Sequence, residues 1–223
     1  RSLWAESLIR LRKNKAAMVS IVFIVLLGLA AAFANFVSPH DPIDQDLLAN
    51  NAVPRWMLFI LPENAENYAN FSNEYPLAAD NLGRDLLSRT LHGARISLSV
   101  AIVAATVSLI VGTTYGSISG YLGGSVDNIM MRIVDFLLSI PTILMALLIL
   151  ALLGPGAIIA IIAIAVTRIP TMARLARSSA LVEQGKDYVM ASKSIGARSR
   201  HMLFKVIGPN TLPPVFVQFT LSL

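Results

Sequence analysis

The chain has 223 residues, of which 55% are hydrophobic and 14% charged, whereas about a quarter of an ordinary soluble domain is charged. That balance excludes a typical soluble enzyme or binding module and points to an integral membrane protein. The net charge of +5 does not indicate nucleic acid, because the basic residues flank apolar runs and are not interleaved with aromatics. Cysteine is absent, which removes disulfides, thiolate catalysis and cysteine metal sites. The histidines, His40, His92 and His201, are far apart and none lies in an HExxH pattern, so no metal site is expected.

Residues 1–15 are read as an amphipathic helix on the membrane surface, with Trp4, Leu8 and Leu11 on one face and Glu6, Arg10 and Lys13 on the other. Ala16 to Val37 is an unbroken apolar run of 22 residues, roughly 33 Å as a helix, and is expected to be the first span. Ala32-Phe33-Ala34 resembles a signal-cleavage site, but the apolar run is longer than a usual signal core, so a retained anchor is expected.

Residues 38–95 contrast with the spans: five prolines, eight acids and four arginines make an acidic, loop-like segment, expected outside the cytoplasm. Its apolar cluster, Trp56 to Leu61, is too short to span and is expected at the interface or against a neighbour. Asp80 to Leu98 predicts a short amphipathic helix feeding a second span, Ile96 to Ser119. Ser108, Gly112, Gly116, Gly120 and Gly124 recur every four residues there, a small-residue face on which another helix backbone can approach closely. GYLGG lacks a following GK[ST], which argues against a nucleotide loop.

A third span is predicted over Ile133 to Leu153, bent at Pro141, with Arg132 and Asp135 spaced to pair at its start. Gly154-Pro155-Gly156 is a turn, and a fourth span runs from Ala157 to about Met172, with Arg168 placed to snorkel. Five basic residues in 1–15 and seven in 171–209 put both segments on the cytoplasmic side, and four spans between them give the required parity. The last apolar stretch, from Thr211, is read as the start of a fifth span cut short. The expected fold is therefore all-α, a polytopic transmembrane bundle whose core occupies 96–223.

Between the fourth and fifth spans lies a basic, two-part insert, Gln184 to Pro209, split at Gly196-Ala197 and closed by Gly208-Pro209. It offers apolar residues (Tyr188, Val189, Ile195, Met202, Leu203, Val206) among Lys186, Lys193, Arg198, Arg200 and Lys205. Gly196 permits a sharp break between two short helices.

This insert resembles the EAA loop of permease subunits of ATP-binding cassette importers: Glu-Ala-Ala, three residues, Gly, nine residues, Ile, one residue, Leu-Pro. The pattern falls on Met190-Ala191-Ser192, Gly196, Val206 and Gly208-Pro209; Ala191, Gly196 and Pro209 match, while Met190, Ser192 and Gly208 depart from it. LGRDLLSR with GARISL, GYLGGSVDNIMMRIVD and DYVMASKSIGA are similar to the subunit lettered C of dipeptide and oligopeptide importers, over almost the whole chain. The resemblance implies an inner-membrane permease that is not itself an enzyme. It implies as partners a second permease, two ATPase subunits holding ATP and magnesium, and a solute-binding protein outside. It further implies that Tyr188, Ala191, Ser192, Ile195, Gly196, Ala197, Arg198, Arg200 and Pro209 dock the ATPase, and that relatives run through six spans. Two other classes are weighed against it. A proton-coupled carrier would use Asp127, Asp135, Arg132 or Arg168, and a membrane enzyme would need a catalytic constellation, of which no pattern is present.

Overall fold

A computed structural model describes residues 11–62 and 69–222. Most of the amphipathic start read over residues 1–15 lies outside them. The chain divides into two compact units, Arg1–Leu98 and Ser99–Leu223. Among the described residues the architecture is all-α, apart from one parallel pair of two-residue strands, Val53–Pro54 and Phe71–Ser72.

In the first unit, helix α1 (Lys15–Ala32) is capped by Asn14, whose side chain accepts from the Ala17 amide at 3.2 Å. The helical path breaks at Phe33 and resumes for one turn, α2 (Ala34–Val37), so the first apolar run is a long and a short piece. The acidic loop holds a small core of Ala49, Ala52, Tyr75 and Ala79. Trp56 donates its indole N–H to the Pro76 carbonyl at 2.9 Å, while Phe59 and Ile60 stay exposed on the 3₁₀ turn Arg55–Phe59.

The LGRD segment has a physical reason for each residue. Asp80 accepts from the Leu82 and Arg84 amides at 2.9 and 3.0 Å and from the Arg84 guanidinium at 2.8 and 2.7 Å. The Arg84 hydrogen bond holds the Asp80 carboxyl down at about 2. Gly83, at φ +73°, lies so close to Asp46 that an added Cβ would fall 1.7 Å from its carbonyl oxygen. Asp85 then caps the next helix by accepting from the Leu87 and Ser88 amides at 3.2 and 3.1 Å.

That helix, α3 (Leu86–Leu122), has 37 residues and begins in the first unit and ends in the second. The amphipathic feeder and the second span predicted from sequence are thus one element, because no proline or cap separates them. In the second unit α4 (Gly124–Ser139) and α5 (Thr142–Leu153) meet at 88°. Pro141 is the cause: it has no N–H, and it holds Ile140 extended at ψ 126° before serving as the cap of α5. The segment predicted as one bent span is therefore two helices broken at nearly a right angle. Helix α6 (Ala157–Gln184) continues 12 residues past Met172, with Pro170 buried inside it. The fourth span predicted from sequence is thus extended, because Ala173, Ala176 and Ala180 keep packing beyond the apolar run.

The glycines of α3 explain that packing. An added Cβ would lie 2.5 Å from Met172 Cβ at Gly112, 2.0 Å from the Ala173 oxygen at Gly116 and 2.9 Å from Ala180 Cβ at Gly120. Gly124 lies outside this seam, at a turn with φ +56° and open space around it. Ion pairs join α4 to α6. Arg177 donates to both oxygens of Asp127 at 2.6 and 2.5 Å, Ser119 adds a bond of 2.6 Å, and Arg174 reaches Asp135 at 2.5 Å. Asp135 thus takes Arg174 rather than the predicted Arg132, since helix packing brings an opposing arginine closer than a same-helix neighbour three residues away. Asp127 sits at the start of α4 beside the later part of α6, whereas α5 leads through Gly154 to the start of α6. The two bent pieces are about 24 and 18 Å long, and both pack against α6.

Two outcomes are expected in the full-length protein. Gly116→Ala lowers thermal stability in detergent by about 1–3 kcal/mol, whereas Gly93→Ala, with nothing within 4 Å of the added Cβ, does not. Because the Asp80 carboxyl falls from 3.8 to about 2 on folding, its contribution is complete above 3.8 and is lost as pH falls through about 2. Hydrogen exchange at the Leu82 and Arg84 amides should therefore be faster in Asp80→Asn at pH 5 and indistinguishable from the parent near the lower limit.

Candidate functional site

The insert after α6 folds into α7 (Asp187–Ser194), a turn, α8 (Ser199–His201), a π-helical turn Met202–Ile207 and α9 (Gly208–Ser222). Asp187 in the first turn of α7 and Lys193 in the last both complement its dipole. The helix ends at Gly196, φ +82°, where the Gly196 amide donates to the Lys193 carbonyl at 3.0 Å and the Ala197 amide to Ser192 at 3.2 Å. This is a Schellman termination, which places glycine at the left-handed position. Space is not the issue there, since nothing lies within 4 Å of an added Cβ; the backbone conformation is.

Gly208-Pro209 does not close the insert. The chain continues helically from Ser199 to Ser222, and the Gly208 amide bonds to the Leu203 carbonyl five residues back. An added Cβ at Gly208 would meet that oxygen at 2.6 Å, so the wide turn requires glycine. The second short helix expected after Gly196 is instead α8, which continues through the π turn into α9.

Three of the apolar residues read as contact knobs belong to the chain's own core or its edge. Val189 and Met202 are fully buried with Ala180 and Ile207, and Val206 packs against them together with Tyr121 and Ala197. What remains outward is a smaller surface. Met190 is 52% and Ile195 85% exposed, with Ala191, Gly196, Arg198, Arg200 and Pro209 also exposed and Ser192 and Ala197 half-buried. Met190, where the EAA pattern has glutamate, thus stands on the open side of α7. The structure places Tyr188, Ala191 and Ser192 on one short helix with Ile195 at its cap, and Arg198 and Arg200 just beyond the turn; Pro209 lies in a separate helix.

Several contacting residues were not singled out from the sequence. Glu183, 7% exposed, accepts from Lys186 Nζ at 2.5 Å and from the Tyr188 hydroxyl. Its i,i+3 spacing from Lys186 was a legible signal. Gln184 donates to the Gly120 carbonyl at 2.5 Å, satisfying an acceptor in the last turn of α3, and Lys193 lies 5.8 Å over the Tyr121 ring. Although Tyr188 is 41% exposed, desolvation of its hydroxyl and then the bond to Glu183 push the phenol up to about 12. Among the described residues no group of three His, Asp or Glu side chains could hold a metal ion.

The arrangement is a short, partly apolar helix packed against α6 and the π turn, with the cations Arg198 and Arg200 beyond its end. Comparison with known proteins gives it a family. The sequence model of the binding-protein-dependent transport system inner membrane component matches residues 112–223, which include the whole insert, and that of the N-terminal TM domain of oligopeptide transport permease C matches residues 2–54. The oligopeptide transport system permease protein OppC of Bacillus subtilis is 38% identical over 99% of this chain and 67% of its own length. The dipeptide transport system permease protein DppC of the same organism is 38% identical over 96% of this chain and 61% of its own length. The glutathione transport system permease protein GsiD of Escherichia coli is 34% identical over 100% and 68%. The chain thus spans about two thirds of the length of these relatives, and it belongs to the family of inner-membrane components of binding-protein-dependent transport systems.

Proposed function

We propose that the chain is a multi-pass permease subunit of an ATP-driven importer of short peptides, lining one half of a path whose other half is a second permease. The observation that carries this reading is the α7 surface. A helix of eight residues, ended by a Schellman turn, carries Met190 and Ile195 outward beside Arg198 and Arg200. Apolar knobs ringed by cations suit a groove on a cytoplasmic ATPase subunit, with arginine at the rim steering the encounter. Hydrolysis of ATP then belongs to that partner, and solute arrives from a binding protein on the opposite side.

Sidedness follows from charge. With the basic start and the 184–209 insert in the cytoplasm, α1, α3, the broken pair α4–α5 and α6 are the four crossings between them, and the acidic 38–95 loop faces outward. The exposed Phe59 and Ile60 give that loop a footing at the membrane interface. Peptide is the substrate class favoured by the names of the relatives, which include oligopeptide, dipeptide and glutathione permeases. No observation favours a proton-coupled carrier, since Asp127 and Asp135 are both tied to arginines.

In the assembled importer, Gly196→Pro is expected to abolish uptake while the protein still inserts. Proline cannot adopt φ +82° and lacks the amide that bonds Lys193. Gly196→Ala should cost only about 1 kcal/mol of local stability and leave most uptake. Charge reversal at Arg198 and Arg200 together should weaken co-purification of the ATPase by about ten-fold or more; unchanged association and uptake would refute docking through this surface. A protease site inserted near Asn73 should be cut from outside intact cells stripped of their outer barrier, and cleavage from the cytoplasmic side alone would reverse the topology.

A further inference from the structure

The later half of α6 has two unlike faces. Met172, Ala173, Ala176 and Ala180 are buried where α3 approaches. Thr171, Arg174 and Ser178, spaced three and four residues apart, form an exposed polar stripe on another side. With Leu138 of α4, Leu175 of α6 and Gln218 of α9 they wall an open cleft of about 460 Å³, within the roughly 300–1,000 Å³ of small-molecule sites. The two ion pairs between α4 and α6 differ in the same way. Asp127 is nearly buried, takes both prongs of Arg177 and receives a third bond from Ser119. Arg174 gives Asp135 one described bond, Nη2 to Oδ1 at 2.5 Å, and the two side chains are 56% and 61% exposed. Arg174 stands about 15 Å before the end of α6 at Gln184, and Asp135 about 16 Å beyond the start of α4 at Gly124, so the pair lies well inside both helices.

Charges on a membrane helix face a water-filled path or a partner rather than hydrocarbon. An exposed pair binds its own members weakly, so both charges are available to a third group. Adjacent opposite charges match a zwitterion, whereas a lone anion such as a lipid phosphate would meet Asp135 together with Arg174. We infer that Arg174 and Asp135 form a peptide-contacting subsite of the transport path, in which the guanidinium takes the carboxylate of the passing peptide and the Asp135 carboxylate takes its ammonium. Thr171 and Gln218 offer neutral hydrogen bonds along the same wall. This rests on the reading of the chain as a peptide permease. The subsite recognises the free ends that short peptides share, and not their side chains.

The test uses the complete importer, with the full-length chain, the second permease, the ATPases and the binding protein reconstituted in vesicles. A photo-crosslinking residue replaces Gln218, or in a second preparation Thr171, and radiolabelled alanylalanine, pentaalanine and glutathione are offered in turn. Illumination during ATP-driven uptake is expected to attach the accumulated peptide to either position, and to attach about ten-fold less to a crosslinker in place of Phe23 on the exposed apolar face of α1. Per assembled importer, Arg174→Gln should lower the adduct about ten-fold, the effect of one lost bond between charged groups. Arg174→Lys, which keeps the charge, should lower it less. Asp135→Asn combined with Arg174→Gln removes the pair without leaving a lone charge, and its adduct should stay as low as that of Arg174→Gln. Recovery in the double variant would show a pair that only joins helices and would overturn the subsite. So would an unchanged yield in Arg174→Gln, or adducts at both positions with the second permease or lipid in place of peptide. An importer that accumulates none of the three peptides would instead refute the peptide reading on which the subsite rests.

Discussion

The close approach of α3 and α6 is the constraint on which the second unit depends. At Gly112, Gly116 and Gly120 the backbone of one helix meets Met172, Ala173, Ala176, Arg177 and Ala180 of the other at distances that no side chain could share. Inside a membrane, lipid is as apolar as leucine, so association rests on such packing and not on hydrophobic exclusion. Small residues on both helices make it possible, and their contact sets where the end of α3 stands relative to Glu183 and Gln184. The bond from Gln184 to the Gly120 carbonyl, and Lys193 over Tyr121, follow from that placement.

Charge reinforces the same joint. Arg177 is held by Asp127 in a two-pronged pair whose acid is nearly buried and also receives Ser119. A buried pair of this kind contributes little net stability against an apolar alternative, but removal of one partner leaves an uncompensated charge. Its effect is therefore chiefly to specify register between α4 and α6. Together with the Arg174–Asp135 pair it neutralises two of the basic residues of the 171–209 segment, leaving the outward cations concentrated around α7 and the turn that follows.

The insert is packed on one side and exposed on the other. Its apolar side faces its own subunit through Val189, Met202 and Ile207, and its ends are closed by a capping turn at Gly196 and a wide π turn at Gly208. Each glycine serves a different need: left-handed backbone at Gly196, and close passage of the Leu203 carbonyl at Gly208. Helix α9 continues through Pro213 and Pro214, which lie inside it beyond its first turn.

Much of this was legible in the residues. Long apolar runs, charge asymmetry, a four-residue glycine repeat and the spacing around Gly196 report local properties of the chain: transfer into lipid, helix period and backbone freedom. They were enough for class and the family resemblance. Boundaries and partners were not legible, for one physical reason: they depend on what a helix meets after it has formed. Polar residues extend α6 to Gln184 because alanines among them pack on α3, and Arg174 displaces Arg132 at Asp135 because a neighbouring helix presents it. Hydropathy likewise cannot tell a bent span from one broken by 88° at Pro141. Nor can composition separate Val189, turned inward, from Met190, turned outward. The sequence by itself determined which segments could enter a membrane and where the backbone could turn. Only tertiary contacts decided which face of the basic insert was left exposed.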